Sequence, residues 1–188
     1  MHIADGILNV KVVIGADIVA AAPLIYSIYK LSYKELPKTA LMSTLFFVAS
    51  FIHVPFGPTS IHLILNGILG IILGIHSISA IFVALLLQFL LFGYGGLTTL
   101  GLNTLNMFAG AMVANYIYKG TKISAFLSGF LAVFISAIFL SLSLALSGKK
   151  FIEVAYASFF AHLPLMIIEG IVTMFIVEYL NKLWGEVK

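Results

Sequence analysis

The chain has 188 residues, 62% of them hydrophobic and 9% charged, with a net charge of +3 and a mean hydropathy of +1.15. A soluble domain carries roughly a quarter of its residues as charges, so most of this surface must face lipid, and a water-soluble enzyme is excluded. All ten basic residues are lysines spread singly or in pairs, and cysteine is absent; this argues against a nucleic-acid-binding face and rules out disulfides and thiolate metal sites.

The first nine residues, Met1 to Asn9, carry Asp5 instead of a basic leader, and the apolar run behind them is long enough to span. The reading is therefore that no signal peptide is cleaved and that the N-terminus is retained. A membrane span needs about 20 apolar residues. On that measure the sequence predicts one transmembrane domain over residues 1–188, all-α, with about seven helices.

The predicted spans are Val10 to Leu31, Thr39 to Val54, Ile61 to Leu73, Ser77 to Phe92, Leu100 to Tyr118, Ile123 to Leu146 and His162 to Leu183. The third is short, so it needs a recessed position or a thinned bilayer. A turn-rich stretch from Pro55 to Ser60 separates the second and third, and a glycine-rich link from Gly93 to Gly96 follows the fourth. Phe151 to Phe160 reads as a short surface helix. The small-residue pairs Gly70/Gly74 and Ala16/Ala20, each four apart, suit close helix packing in lipid.

Lysine asymmetry sets an orientation. With the N-terminus outside, Lys30, Lys34, Lys38, Lys119, Lys122, Lys182 and Lys188 fall inside, and Lys11, Lys149 and Lys150 fall outside. Residues 1–9, the Pro55 to Ser60 turn and the Gly93 to Thr99 link then share the outer face.

That face collects the residues able to hold a metal. A free Met1 amine, the His2 backbone nitrogen and the His2 Nδ1 close a five- and a six-membered chelate ring around one ion. A plane of nitrogens suits Ni(II) or Cu(II) and is poor for Mg, Ca or Zn. In most proteins a histidine at position 2 is simply solvated, so His2 decides nothing alone. His62, just past the outer turn, is a candidate fourth ligand, and His53 is the alternative.

Other polar residues in the spans have plainer readings. His76 lies on the inner side, and His162 suits a helix-end hydrogen bond. Asn103 and Asn106 lie on one helical turn and can cap their helix or hold the N-terminal segment. Gln88 suits a bond to a neighbouring helix. Asp17 and Glu169 read as buried hydrogen-bonded groups, with a proton relay as the alternative. No nucleophile–base set or carboxylate pair is spaced for catalysis, so an enzyme is not expected.

The segment Met1-His2-Ile3-Ala4-Asp5-Gly6-Ile7-Leu8 resembles the N-terminal signature of the CbiM/NikM family, the substrate-capture (S) components of energy-coupling-factor ABC importers for cobalt and nickel. Pro58-Thr59-Ser60-Ile61-His62 resembles that family's Gly-Thr-Ser-x-His segment. Leu87 to Thr98 resembles its glutamine and glycine block, Gly101 to Met107 its paired asparagines, and Ile168-Glu169-Gly170 the Glu-Gly pair of its last helix.

The resemblance implies an S-component bundle in the cell membrane, crossing it several times. It also implies a metal held by the Met1 amine, the His2 amide nitrogen, the His2 imidazole and His62. It demotes His53, which is expected beside the ligands with Asn103, Asn106 and Ser60. It implies a transmembrane T component, cytoplasmic ATPase subunits and a small accessory membrane subunit as partners, with Ala16 and Ala20 meeting the T component. No catalytic cofactor is implied; Ni(II) or Co(II) is the transported substrate. Departures from the family pattern include Ala4 for proline, Tyr94 for aspartate and Leu102 for alanine. The alternative reading is an S component for a small organic substrate such as a vitamin, which needs a larger outer cavity.

Overall fold

The structure is a computed structural model that describes residues 2–56 and 59–185, with the backbone alone at 53–56, 59–61 and 184. Helix α1 (Val10–Lys30) is followed by α2 (Leu36–Ala49) and by a hairpin of β1 (His53–Phe56) and β2 (Thr59–His62). Then come α3 (Asn66–Leu73), a 3-10 turn (Gly74–His76), α4 (Ser77–Phe92), α5 (Leu100–Ile117) and α6 (Lys122–Leu146). A second 3-10 turn (Lys149–Phe151) leads to α7 (Ile152–Ala161) and α8 (Leu163–Trp184). Among the described residues, four stretches are long and apolar enough to cross a membrane: Val10–Lys30, Asn66–Phe92, Lys122–Leu146 and Lys149–Leu183.

The third predicted span is not one helix. Residues 59–62 form the return strand of the hairpin, antiparallel to β1 with His53 opposite His62. Leu65 then turns left-handed (φ 55°) and α3 begins. With 8 residues at ~1.5 Å rise each, α3 covers about 12 Å, well short of the ~30 Å hydrocarbon core. The described residues therefore contain six helices of 14 residues or more, α1, α2, α4, α5, α6 and α8, instead of seven spans. A short continuous apolar run does not distinguish strand from buried helix, and that ambiguity hid the break. The predicted surface helix is present as α7.

All eight residues of α3 are buried, so it is the centre of the bundle. It meets α5 backbone to backbone: a Cβ on Gly70 would lie 1.9 Å from the Ala111 carbonyl oxygen. Gly74 serves differently, ending α3 at a positive φ of 53°. Helix α1 is peripheral and turns Ile14, Ile18, Val19 and Ile25 outward. Its small pair faces the other way. Ala20 is only 3% exposed and Ala16 packs against the core.

The two ends of the bundle differ in chemistry. At one end, where α1 finishes, Ser27 Oγ bonds to His76 Nδ1 (3.1 Å) and Ser79 Oγ (2.6 Å). Glu178 pairs there with Lys122 and Lys182, and Asn181 donates to the Tyr118 hydroxyl. The opposite end gathers residues 2–9, the hairpin and the link from Gly93 to Thr99. His76 is thus far from His2, as the sequence indicates.

Candidate metal-binding site

The N-terminal segment is held by helix α5. Asn103 grips Ile3 in both directions, accepting from its N–H (3.1 Å) and donating to its carbonyl (3.0 Å). The Thr99 hydroxyl donates to the same carbonyl at 2.7 Å. Asp5 then accepts from the backbone N–H of Leu97, Thr98 and Thr99 and from the Thr98 hydroxyl. These amides precede α5, whose N-cap residue Thr99 makes no side-chain cap of its own, so Asp5 supplies the cap and meets the positive end of the helix dipole. Burial alone would raise the Asp5 pKa, but the bonds from Thr98, Leu97 and Thr99 outweigh it and hold the carboxyl below its ordinary value. Gly96 makes the approach possible, because a Cβ there would lie 2.0 Å from Asp5 Oδ1.

This clamp leaves His2 buried against His62. Their rings stack with centroids 4.8 Å apart and planes 25° from parallel, and His2 Nδ1 faces His62 Nε2 at 3.2 Å. The tautomers follow from the neighbours. The Ser50 hydroxyl donates to the Phe47 carbonyl (2.6 Å), so its oxygen accepts from Gln88 Nε2 (2.9 Å). That fixes the Gln88 amide with Oε1 toward His2 Nε2 at 2.7 Å, and His2 must carry its proton on Nε2. His62 Nδ1 likewise donates to the Leu63 carbonyl at 2.8 Å. Both protons therefore sit on the outer nitrogens, which leaves the unprotonated nitrogens His2 Nδ1 and His62 Nε2 as neighbours at 3.2 Å.

Two unprotonated nitrogens cannot hydrogen-bond each other, but one metal ion can take both. Metal–nitrogen bonds of ~2.0–2.1 Å place right-angled neighbours about 2.9 Å apart, close to the separation found. Burial pushes the His2 imidazole down to about 3 and His62 well below its ordinary value, so both are neutral and able to act as ligands. Outward bonds that fix tautomer and ring orientation are how proteins tune histidine ligands. No cluster of three or more His, Asp or Glu side chains exists among the described residues.

The remaining predicted residues divide. Met1, the expected source of an amine ligand, lies outside the described residues, as do the side chains of His53 and Ser60. Asn103 holds the segment, whereas Asn106 is buried with its Nδ2 unbonded among the described residues. His162 donates from Nδ1 to the Ser158 carbonyl at 2.6 Å, the helix-end bond expected. Asp17 accepts from the Leu102 N–H at 2.8 Å, a second carboxylate at the start of α5. Glu169 accepts from the N–H groups of Ile64 and Leu65. Sequence reasoning missed the orienting roles of Ser50 and Gln88. The available signal was a glutamine inside an apolar run, one turn before the glycine-rich link.

A cavity of about 60 Å³ adjoins His2, lined by Ile3, Ile7, Leu140, Leu144, Phe151, Val154 and Ser158. Pockets for organic ligands run to ~300–1,000 Å³, and this lining is nearly all apolar, so the cavity gives no support to a vitamin-sized substrate.

Residues 2–186 match the family described as cobalt uptake substrate-specific transmembrane region, CbiM. The chain is 32% identical over 213 residues to the cobalt transport protein CbiM of Carboxydothermus hydrogenoformans, covering 99% of this chain and 87% of the relative. It is 39% identical over 131 residues to the fused nickel transport protein NikMN of Rhodobacter capsulatus, covering 65% of this chain and 38% of that longer protein. A crystal structure of a transition metal transporter superposes with a TM-score of 0.88 at 27% identity, covering 97% of this chain and 93% of the other.

Proposed function

Since the chain belongs to the CbiM family of cobalt-uptake transmembrane proteins, we propose that it is the substrate-capture subunit of an energy-coupling-factor importer for nickel or cobalt. Capture occurs at the outer face, with the N-terminus outside. The ligands are the Met1 amine, the His2 amide nitrogen, His2 Nδ1 and His62 Nε2. The observation that carries this reading is the pair of unprotonated nitrogens on His2 and His62, 3.2 Å apart, with both outer nitrogens already bonded.

The chain's residues divide the work of capture. Asn103, Thr99 and Asp5 hold the first residues, Gln88 sets the His2 tautomer, and the hairpin brings His62 across. The imidazoles need lose no proton, while the His2 amide and the protonated Met1 amine must each give one up, so binding releases up to about two protons and weakens in acid. A nitrogen plane favours Ni(II), which also stands above Co(II) in the general affinity order.

Reorientation or inward release is driven by partners, a T component and ATPase subunits, with a small accessory membrane subunit. With Ala20 buried, the surface that α1 offers a partner is the outward row of Ile14, Ile18 and Ile25. Titration of the purified protein with Ni(II) and Co(II) in competition tests the reading. His62→Ala should weaken binding by more than about a hundredfold, beyond the ~10–100-fold typical of residues that only orient a ligand. Binding unchanged by that substitution would remove His62 from the site.

A further inference from the structure

Between His62 and α3 lie three residues, Leu63, Ile64 and Leu65, and they carry two anomalies. Leu65 is the one non-glycine residue with positive φ among the described residues, a conformation unfavourable for a residue that carries a side chain. It is also the N-cap of α3 yet makes no side-chain cap bond. Both anomalies are met from outside the segment. Glu169 of α8, fully buried, accepts from the N–H of Ile64 and, with both oxygens at 3.1 Å, from the N–H of Leu65.

Glu169 is firmly mounted. Its backbone carbonyl packs against α6 at Gly129, where a Cβ would come within 2.5 Å of it. The same α6 glycine lies against α3, since a Cβ on Gly67 would sit 2.8 Å from the Gly129 Cα. Helices α3, α6 and α8 thus form one block, and Glu169 fastens the end of the hairpin to it. His2, by contrast, is fastened to α4 through Gln88, and its neighbour Ile3 to α5 through Asn103.

We infer that Glu169 positions His62 for the metal, by holding the Leu63 to Leu65 turn in its left-handed form on the last helix. The inference rests on the reading of His62 as a ligand. Under it the bound ion joins a ligand held from α8 to one held from α4. A bond that served α3 alone would leave the metal unaffected.

The test is a Ni(II) titration of the full chain with its native N-terminus, in wild-type, His62→Ala, Glu169→Gln and doubly substituted forms. Glutamine keeps the shape but turns an N–H donor toward the Leu65 N–H. Glu169→Gln should lose about 10–100-fold in affinity, the usual cost of an orienting partner. In the His62→Ala background the same change should cost less than about twofold, because residues acting through one another are not additive. Leu65→Gly added to Glu169→Gln should recover part of the loss, since glycine takes positive φ without strain. Unchanged affinity in Glu169→Gln, or an equal loss in both backgrounds, overturns the inference. If His62→Ala binds like wild type, the ligand assignment itself fails, a separate outcome. Amide exchange in the wild type needs no substitution at 169. Ni(II) should slow exchange at Ile64 and Leu65, and equal rates with and without the ion overturn the link even if Glu169→Gln does not fold.

Discussion

At the scale of single residues, the site depends on which nitrogen of each imidazole carries the proton. For His2 that choice is made by the relay from Phe47 through Ser50 to Gln88. Replacing Gln88 with leucine removes the acceptor for His2 Nε2–H and frees the other tautomer, which puts a proton on the chelating nitrogen. Affinity for Ni(II) should fall about 10–100-fold in a competition titration with a coloured chelator; an unchanged constant would show that the relay does not matter. Asp5 gives a pH dependence. Its folded pKa lies below the ordinary carboxylate value, so its stabilisation is full above pH ~4 and is lost as pH falls through the depressed value. Melting of metal-free protein between pH 7 and pH 3 should show a steeper loss in wild type than in Asp5→Asn. Parallel profiles would contradict that role.

At the scale of elements, two helices that point toward the site are capped by acids from elsewhere in the chain. Asp5 and Asp17 serve α5, and Glu169 serves α3. Caps of this kind are worth about 1 kcal/mol each, but here they also tie distant segments to the ligands. Gly96→Ala should therefore act on the metal more than on the fold: the added methyl pushes Asp5 away, and Ni(II) affinity should drop while the melting temperature changes little. Gly70→Ala should do the reverse. It forces α3 off Ala111 and costs about 1–3 kcal/mol of stability, as overpacked cores do, visible as a lower melting temperature with little change in affinity for the protein that remains folded. The helices themselves were legible because lipid demands long apolar runs: predicted Ser77 to Phe92 is α4 residue for residue. The hairpin was not, because Ile61 to Leu65 is as apolar as a span, and only the strain at Leu65 and a carboxylate more than a hundred residues away mark the break. His2 and His62 were legible through chelate stereochemistry and resemblance. The partners of Gln88, Asp5 and Glu169 were not, because a pairing across 86 to 105 residues leaves no local pattern.

At the scale of the whole molecule, composition requires a membrane, and the fold separates the end proposed to bind the metal from the end where Lys122 and Lys182 pair with Glu178. The proposed orientation is directly testable because the chain has no cysteine. Single cysteines at Ser147 and at Lys34 should differ in intact cells: the first labelled by an impermeant thiol reagent, the second protected. The opposite pattern would invert the topology and move capture to the inner face. The central claim is that the first two residues of the chain are themselves ligands. It is tested most directly by comparing Ni(II) binding of the native N-terminus with that of a chain carrying several extra residues before Met1. The extension leaves every side chain in place but moves the free amine out of the chelate; several residues are used because a single one would put the histidine third from the new amine, which is itself a planar Ni(II) chelate. The account predicts that affinity collapses and that the absorption of planar nitrogen-bound Ni(II) disappears; binding of equal strength with the same spectrum would contradict it.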